Sequence, residues 1–351
     1  MKKRLSFLLL VMLSVLMIAH PALGAEISQE RLEKFQSLAA KEGLEVVYTG
    51  VVNKSIALRD APSSSANKIS TLSEGDRVAI AGFDTQWLHI ITETRGTGYI
   101  MRQYCNDITA VDPENTLPYG AVIHHYTATV AEDTAVYVGM DETGEAYCSL
   151  TAGSRFSFWY MHNGWAYTPY WRELGYVPMD KLANLTPVSP TVEYAQPGDM
   201  LSVFTSFYST KDTELNRGRM VNIGVACNYI SHVMQPGESW SFNSVAGPYK
   251  KSRGYQEAPV LIDGKTVPGY GGGTCQVSTT LYNTLLQLPH NMTILYRRPH
   301  GPGGAKYVPH GVDAAVGNDS LDLVFQNDFD FPVRIVATAK DGALCISIIR
   351  E

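Results

Sequence analysis

Three residues recur at one offset. Leu72, Gly75 and Trp87 return 78 residues later as Leu150, Gly153 and Trp165, and "GYI" at 98–100 returns as "GYV" at 175–177. A shared offset of this kind points to one supersecondary unit used twice. The unit is β. "GVVNKSIALRDAPSSSANKISTLSEGDRVAIAG" alternates apolar and polar residues between turn clusters, and "WLHIITETRGTGYI" closes it. The second copy is looser: it lacks the "RDAP" stretch and carries additional aromatics at Tyr160, Tyr167, Tyr170 and Trp171. Trp87 and Trp165 are expected to pack in the interior of their units, as most aromatics of small β folds do.

The segments around the repeat set the domain plan. Lys2, Lys3 and Arg4 precede an apolar run from Leu5 to Ala19, and "ALGA" follows. This reads as a secretory signal peptide over residues 1–25, with cleavage near Gly24–Ala25. The run is shorter than the roughly 20 residues a membrane span needs, and no stable span is expected after cleavage. Residues 26–45 read as one helix and a linker, 46–107 and 120–182 as the two β units, and 183–200, "ANLTPVSPTVEYAQPGDM", as a proline-rich linker. Residues 201–351 form a third domain.

The chain has 28 basic and 34 acidic residues, a net charge of −6. Cleavage removes three of the basic ones and moves the balance to about −9. That is the wrong sign for a nucleic-acid partner, which calls for a basic face. Five cysteines, Cys105, Cys148, Cys227, Cys275 and Cys345, are scattered and odd in number. They do not read as a disulfide framework. Cys227 and Cys345 lie inside apolar patterns and fit small buried hydrophobes.

Cys275 is different. In the third domain Met220, Ile223, Cys227 and Ile230 make one helical stripe, with "QPG" at 235–237 expected to end it. "DLVFQNDFDFPVRIVATAKDGALCISII" alternates and turns at Asp341–Gly342, a hairpin signature. The domain is therefore α+β with a mainly antiparallel sheet. In "PGYGGGTCQVSTTLYNTLLQL", Val277, Leu281, Leu285 and Leu288 fall at helical spacing, so a helix starts near Thr274–Ser278. Cys275 sits in its first turn, where free N–H groups and the helix dipole favour a thiolate. Gly271, Gly272 and Gly273 allow close approach of a substrate backbone and can aim N–H groups at an oxyanion. "RRPHGPGGAKYVPHGVDAAV" then supplies His300, His310 and Asp313, from which a Cys–His–Asp set can be built. The residues alone leave the base open between the two histidines.

The "RDAPSSSANK" loop, the "EGD" turn, Trp87 and "GYI" together resemble a bacterial SH3 domain. From about Ser209 to Ile348 the chain resembles the VanW family. The resemblance is carried by "NRGRMVNI", "PGESWSFNSVAGP", "GYQEAP", "GYGGGTCQVSTTLYNTLL", the arginine–histidine stretch above and "LDLVFQNDFDFPVRI". The fold class expected is thus two small all-β SH3-like barrels followed by an α+β catalytic-type domain.

The resemblance implies an exported, cell-wall-associated L,D-transpeptidase that forms 3→3 cross-links between peptidoglycan stem peptides, without a cofactor or metal. It makes Cys275 the nucleophile, His300 the base and Asp313 its orienter. It ranks His310 lower, as a substrate-site residue. Gly271, Gly272, Gly273, Gln276, Ser278, Arg298 and Tyr307 are expected at the substrate site, with Arg297 or Arg298 holding a stem carboxylate. Where the family usually has Ser after its histidine, this chain has Gly301. Two rival readings stand beside it: a non-catalytic wall-binding or glycopeptide-resistance accessory protein, and a zinc peptidase using His300, His310 and Asp313.

Overall fold

The structure, a computed structural model, describes residues 27–351 apart from 85, 263, 264, 302, 303 and 319. The expected signal peptide lies outside the described residues. Among those residues no helix is long and apolar enough to cross a membrane.

Among the described residues four α-helices punctuate a mostly antiparallel β structure: α1 (Gln29–Lys41), α2 (Glu214–Ile230), α3 (Phe242–Ala246) and α4 (Thr274–Leu285). α1 begins where the Ser28 hydroxyl accepts from the Arg31 N–H, and it buries Phe35 and Ala39 against Val46, Ala79 and Ile91. The first β unit is one sheet of strands in the order 68–72, 56–59, 97–101, 87–91, 77–83, 48–52, 105–110. Leu58, Leu72, Val78, Ile80, Leu88 and Ile100 fill its core. The second unit divides into two sheets, 146–150, 134–137, 173–178, 165–170, 160–162 and 155–158, 126–130, 182–187.

The repeat is visible in the backbone. Gly75 and Gly153 hold the same left-handed turn, φ 86° and 85°, which a side chain would strain. The glycines of "GYI" and "GYV" also share a reason: a Cβ would lie 2.6 Å from the Arg59 oxygen at Gly98 and 2.4 Å from Val136 Cγ1 at Gly175. Trp87 is buried, while Trp165 is half-buried and stands edge-on to Tyr137. Closed barrels do not form: no pairing among the described residues joins the outer strands of either unit. The Lys68–Leu72 edge is largely exposed and has no second apolar face to pair.

The proline-rich stretch begins as a strand. Leu182–Pro187 pairs with Tyr126–Val130, so it belongs to the second unit before the chain crosses over. The strand that follows, Met200–Phe207, is buried along its whole length. It pairs with Ala343–Arg350, which pairs with Val333–Lys340 through the turn at Asp341–Gly342. α2 stops at Ile230, short of "QPG", because Ser231 Oγ donates to the Cys227 carbonyl and Val233–Met234 turns into a strand beside Val333.

The second unit and the C-terminal domain share an interior. Phe207 and Ala343 pack within the core of Phe156, Phe158 and Val136. A buried polar chain crosses the same boundary: His124 Nδ1 meets Ser157 Oγ at 2.7 Å, and Ser157 Oγ and N both donate to Thr205 Oγ1. His124 is fully buried, and its Nε2 has no partner among the described residues. Burial, with a push from His125, moves its pKa down to about 3. The folded value is below the unfolded one of about 6.5, so the unfolded chain takes up the proton first as pH falls. Its contribution to stability is complete above pH 6.5 and is lost towards pH 3. A loss on the order of 4 kcal/mol is expected across that window. Denaturant midpoints should fall steeply below pH 6.5 in the native protein and less steeply in His124→Asn. Parallel curves would remove His124 from the explanation.

Candidate functional site

The glycine run brings α4 against a hairpin and α2. A Cβ on Gly272 would lie 2.4 Å from the Pro259 carbonyl oxygen, and Asn222 Nδ2 donates to the Gly272 oxygen at 3.0 Å. Gly273, at φ 110°, is the N-cap of α4 and offers no side chain to its first turn. The Cys275 N–H accordingly takes no acceptor among the described residues. The Cys275 thiol is half-buried, with its Sγ 3.3 Å from the Val316 oxygen and 3.5 Å from the Val316 nitrogen.

Val316 ends the segment that carries Asp313, and α4 holds that segment in place. Ser278 Oγ and Thr279 Oγ1 donate to the Ala314 oxygen, the Ala314 N–H returns a bond to Thr279 Oγ1, and Asn283 Nδ2 donates to the Val312 oxygen. Ser278, Thr279 and Asn283 are all buried, and of their side-chain polar atoms Asn283 Oδ1 alone has no partner among the described residues. They set the height of Asp313 against Cys275.

His300 closes the constellation. Its Nδ1 lies 2.5 Å from Asp313 Oδ2, and its backbone N–H donates to the same oxygen at 2.7 Å. The Cys275 side chain lies near enough to the ring to act on its charge, while the hydrogen-bond partner of its Sγ is Val316. Burial alone lowers the His300 pKa, but the bond to Asp313 and the charges on Asp313 and Cys275 outweigh it and raise the value to about 10. Burial likewise disfavours the Asp313 carboxylate. The two bonds from His300, its charge and that of Arg297 reverse this and hold Asp313 below the usual carboxylate range. The arrangement sets the Cys275 sulfur beside an imidazolium–carboxylate pair.

His310 is elsewhere. Its Nε2 lies 2.8 Å from Arg172 Nη1, and burial with the charges of Arg172 and Arg102 pushes it down to about 4. Arg172 comes from the second β unit, just after Trp171, a non-glycine residue in the left-handed region at φ 55°. It donates to the Val308 oxygen at 3.1 Å and the Ala305 oxygen at 3.2 Å. Arg102, from the first unit, reaches the His310 carbonyl at 3.5 Å. Both N-terminal units thus grip the loop that leads to Asp313. Nothing in the residue pattern around "YWRELGYV" signals this.

The remaining expected residues are placed as follows. Gln276 is buried, with Nε2 donating to Ser206 Oγ and the Phe207 oxygen. Ser278 is buried on Ala314. Both side chains face the interior. Tyr307 is half-buried and packs against the core of the domain. Arg297 donates to the Asp313 carbonyl at 2.8 Å and lies over the Tyr282 ring. Arg298 is exposed and bonds the Tyr296 hydroxyl. Arg219 was hidden in "NRGRM". Its Nη2 donates to Gln276 Oε1 at 2.5 Å, and the Cys275 side chain is among the charged neighbours that act on it. His300 and His310 turn to different partners, and among the described residues no three His, Cys, Asp or Glu side chains gather as a metal set.

Comparison with known proteins bears on this region. Residues 218–349 match the family model described as VanW like protein. The uncharacterized protein YoaR of Bacillus subtilis (strain 168) is 36% identical over 142 residues, which covers 40% of this chain and 46% of that protein. The vancomycin B-type resistance protein VanW of Enterococcus faecalis (strain ATCC 700802 / V583) is 28% identical over 138 residues, 37% of this chain and 48% of that one. The chain spans about half the length of the curated relatives it matches. The solved structure of NlpC2 from Trichomonas vaginalis is 10% identical and aligns with 88% of this chain and 98% of its own. Its TM-score of 0.16 carries no argument. The part of the chain that holds Cys275, His300 and Asp313, residues 218–349, is a VanW-like domain.

Proposed function

We propose that the protein is an exported cell-wall enzyme, an L,D-transpeptidase that joins peptidoglycan stem peptides through a Cys275 acyl-enzyme. The observation that carries the reading is the hydrogen-bonded His300–Asp313 pair set beside Cys275 in the first turn of α4. The vancomycin-resistance name of one relative supports a role at the wall.

In this reading the Cys275 sulfur attacks the carbonyl carbon of the third stem residue, a diamino acid. A C–S bond forms, and the carbonyl oxygen becomes an oxyanion within reach of the free Cys275 N–H. His300 gives its proton to the departing nitrogen of the terminal D-Ala, which leaves as the amine. The C–N bond breaks and a thioester remains. The side-chain amine of a second stem then attacks the thioester, returns a proton to His300 and releases the thiolate. One amide is broken and one is made. Water in place of the amine gives a carboxypeptidase. Asp313 keeps the imidazole ring oriented throughout. The two β units are read as SH3-like wall-binding modules, on the strength of their repeat and turn motifs. Full-length protein should sediment with purified peptidoglycan, and recovery no greater than that of a control protein would reduce the units to scaffolding.

Incubation with tetrapeptide stems and mass analysis of the products tests the reaction. A cross-linked dimer with loss of D-Ala, absent in Cys275→Ser, is expected. No product and no acyl-enzyme from the folded protein would favour the binding-protein reading. A second measurement isolates the nucleophile. Burial pushes the thiols of Cys105, Cys148 and Cys227 up to about 12 and raises that of Cys345 as well. Substoichiometric alkylation followed by peptide mapping should therefore label Cys275 first. Earlier labelling of Cys227 or Cys345 would overturn the assignment.

A further inference from the structure

Arg219 is half-buried and has no anionic side-chain partner among the described residues. It lies on α2, where its Cγ would be 3.0 Å from a Cβ on Gly273, so its stem covers the glycine that caps α4. Its single hydrogen bond goes to Gln276 Oε1, and Gln276 is itself fixed by Ser206 and Phe207. Among the described residues it forms no ion pair. Its Nε and Nη1 make no hydrogen bond there, and neither is sealed from solvent. A half-buried guanidinium with donors open towards solvent is placed to take an anion that arrives from outside. Its charged and titratable neighbours are the hydroxyls of Tyr208 and Tyr307 and the Cys275 thiol. The other cations around the site are engaged: Arg172 and Arg297 on loop carbonyls, Arg298 out on Tyr296.

We propose that Arg219 is the carboxylate subsite of this centre, binding the free C-terminal carboxylate of a peptide whose reacting carbonyl lies at Cys275. The inference rests on the transpeptidase reading for the identity of the peptide, but not for the existence of the subsite. A charged guanidinium with donors left open suits a carboxylate better than a neutral amide. Because the Arg219 stem packs on Gly273, two residues before Cys275, the carboxylate and the attacked carbonyl belong to neighbouring residues of the peptide. The substrate class is then a peptide cut one residue from its C-terminus. Endopeptide bonds and C-terminal amides are disfavoured.

The subsite can be tested with alkylating reagents alone. Iodoacetate and iodoacetamide each transfer a two-carbon group to the Cys275 sulfur with loss of iodide, and they differ in the carboxylate. In the native protein the iodoacetate-to-iodoacetamide rate ratio at Cys275 should exceed that of free glutathione by about tenfold or more, since opposite charge raises local reagent concentration. Arg219→Gln should lower the ratio about tenfold while leaving the iodoacetamide rate within a factor of about three, and Arg219→Lys should fall between. His300 is present in all three proteins and cancels. An unchanged ratio in Arg219→Gln overturns the subsite. If that variant fails to fold, protection of the native protein decides: N-acetyl-D-alanine should slow iodoacetamide labelling of Cys275 and its amide should not. Equal protection by both overturns the proposal. Failure of the functional reading looks different: no cross-linked or hydrolysed stem, with the charge discrimination still present.

Discussion

Replacing His300 with alanine is expected to slow acylation of Cys275 by about 10²–10⁴-fold, the usual contribution of a positioned acid–base group. His310→Ala is expected to stay within about tenfold of the native protein. The difference follows from where each ring is held. Asp313 accepts both the Nδ1 hydrogen and the backbone N–H of His300, which leaves the opposite ring nitrogen for the sulfur. The proton that the departing amine needs is already on His300 at neutral pH, because its pKa is raised to about 10. His310 is neutral at the same pH, held down to about 4 by burial and two arginines, and its Nε2 is taken by Arg172. Trapping of the acyl-enzyme by rapid quench and intact mass, at fixed pH, separates the two. Equal losses in both variants with folding intact would point to a shared role and revive the metal reading. A loss confined to His310→Ala would mean that the base is the other histidine.

Arg172→Ala should destabilise the protein by about 2–4 kcal/mol, discounted for the residue's partial exposure from hydrogen bonds to charged donors worth about 1.5–3 kcal/mol each. The bonds to the oxygens of Ala305 and Val308 and to His310 are lost together, and the carbonyls are left facing a cavity. Part of the loss is offset, because Arg102 stands close enough to repel Arg172. The effect should be local before it is global. Backbone hydrogen exchange across 305–316 should accelerate well before that of α1 or the 77–91 strands, since the loop then has one fewer anchor. Lysine cannot reproduce the fork and should recover only a minor part of the protection. Exchange in 305–316 that matches the native protein would show that the second β unit does not hold the loop. The result also bears on separability. With Phe207 and Ala343 inside its core, the second unit is not expected to be stable when cut from the C-terminal domain.

Some features of this protein were already settled by short-range chemistry. The glycine run and the spacing of Val277, Leu281 and Leu285 place Cys275 at a helix start, because both the left-handed cap and the apolar period act within a few residues. Gly75 and Gly153 mark a repeated turn for the same reason, and Asp341–Gly342 closes its hairpin with φ of 41° and 95°. Other features depend on contacts between distant parts of the chain and have no local signature. Whether His300 or His310 meets the sulfur is decided by where Asp313 is fixed, and α4 fixes it through Ser278, Thr279 and Asn283. Gln276 and Ser278 look like site residues in sequence because they flank the cysteine, yet helical rotation turns both into the core. The β units alternate as barrels would, but alternation says which face is buried and not whether the outer strands meet. Arg172 and Arg219 lie 103 and 56 residues before Cys275 in the chain, and only the packing of the second unit and of α2 brings their charges to the site. A long, flexible arginine carries no positional information until the fold gives it an acceptor.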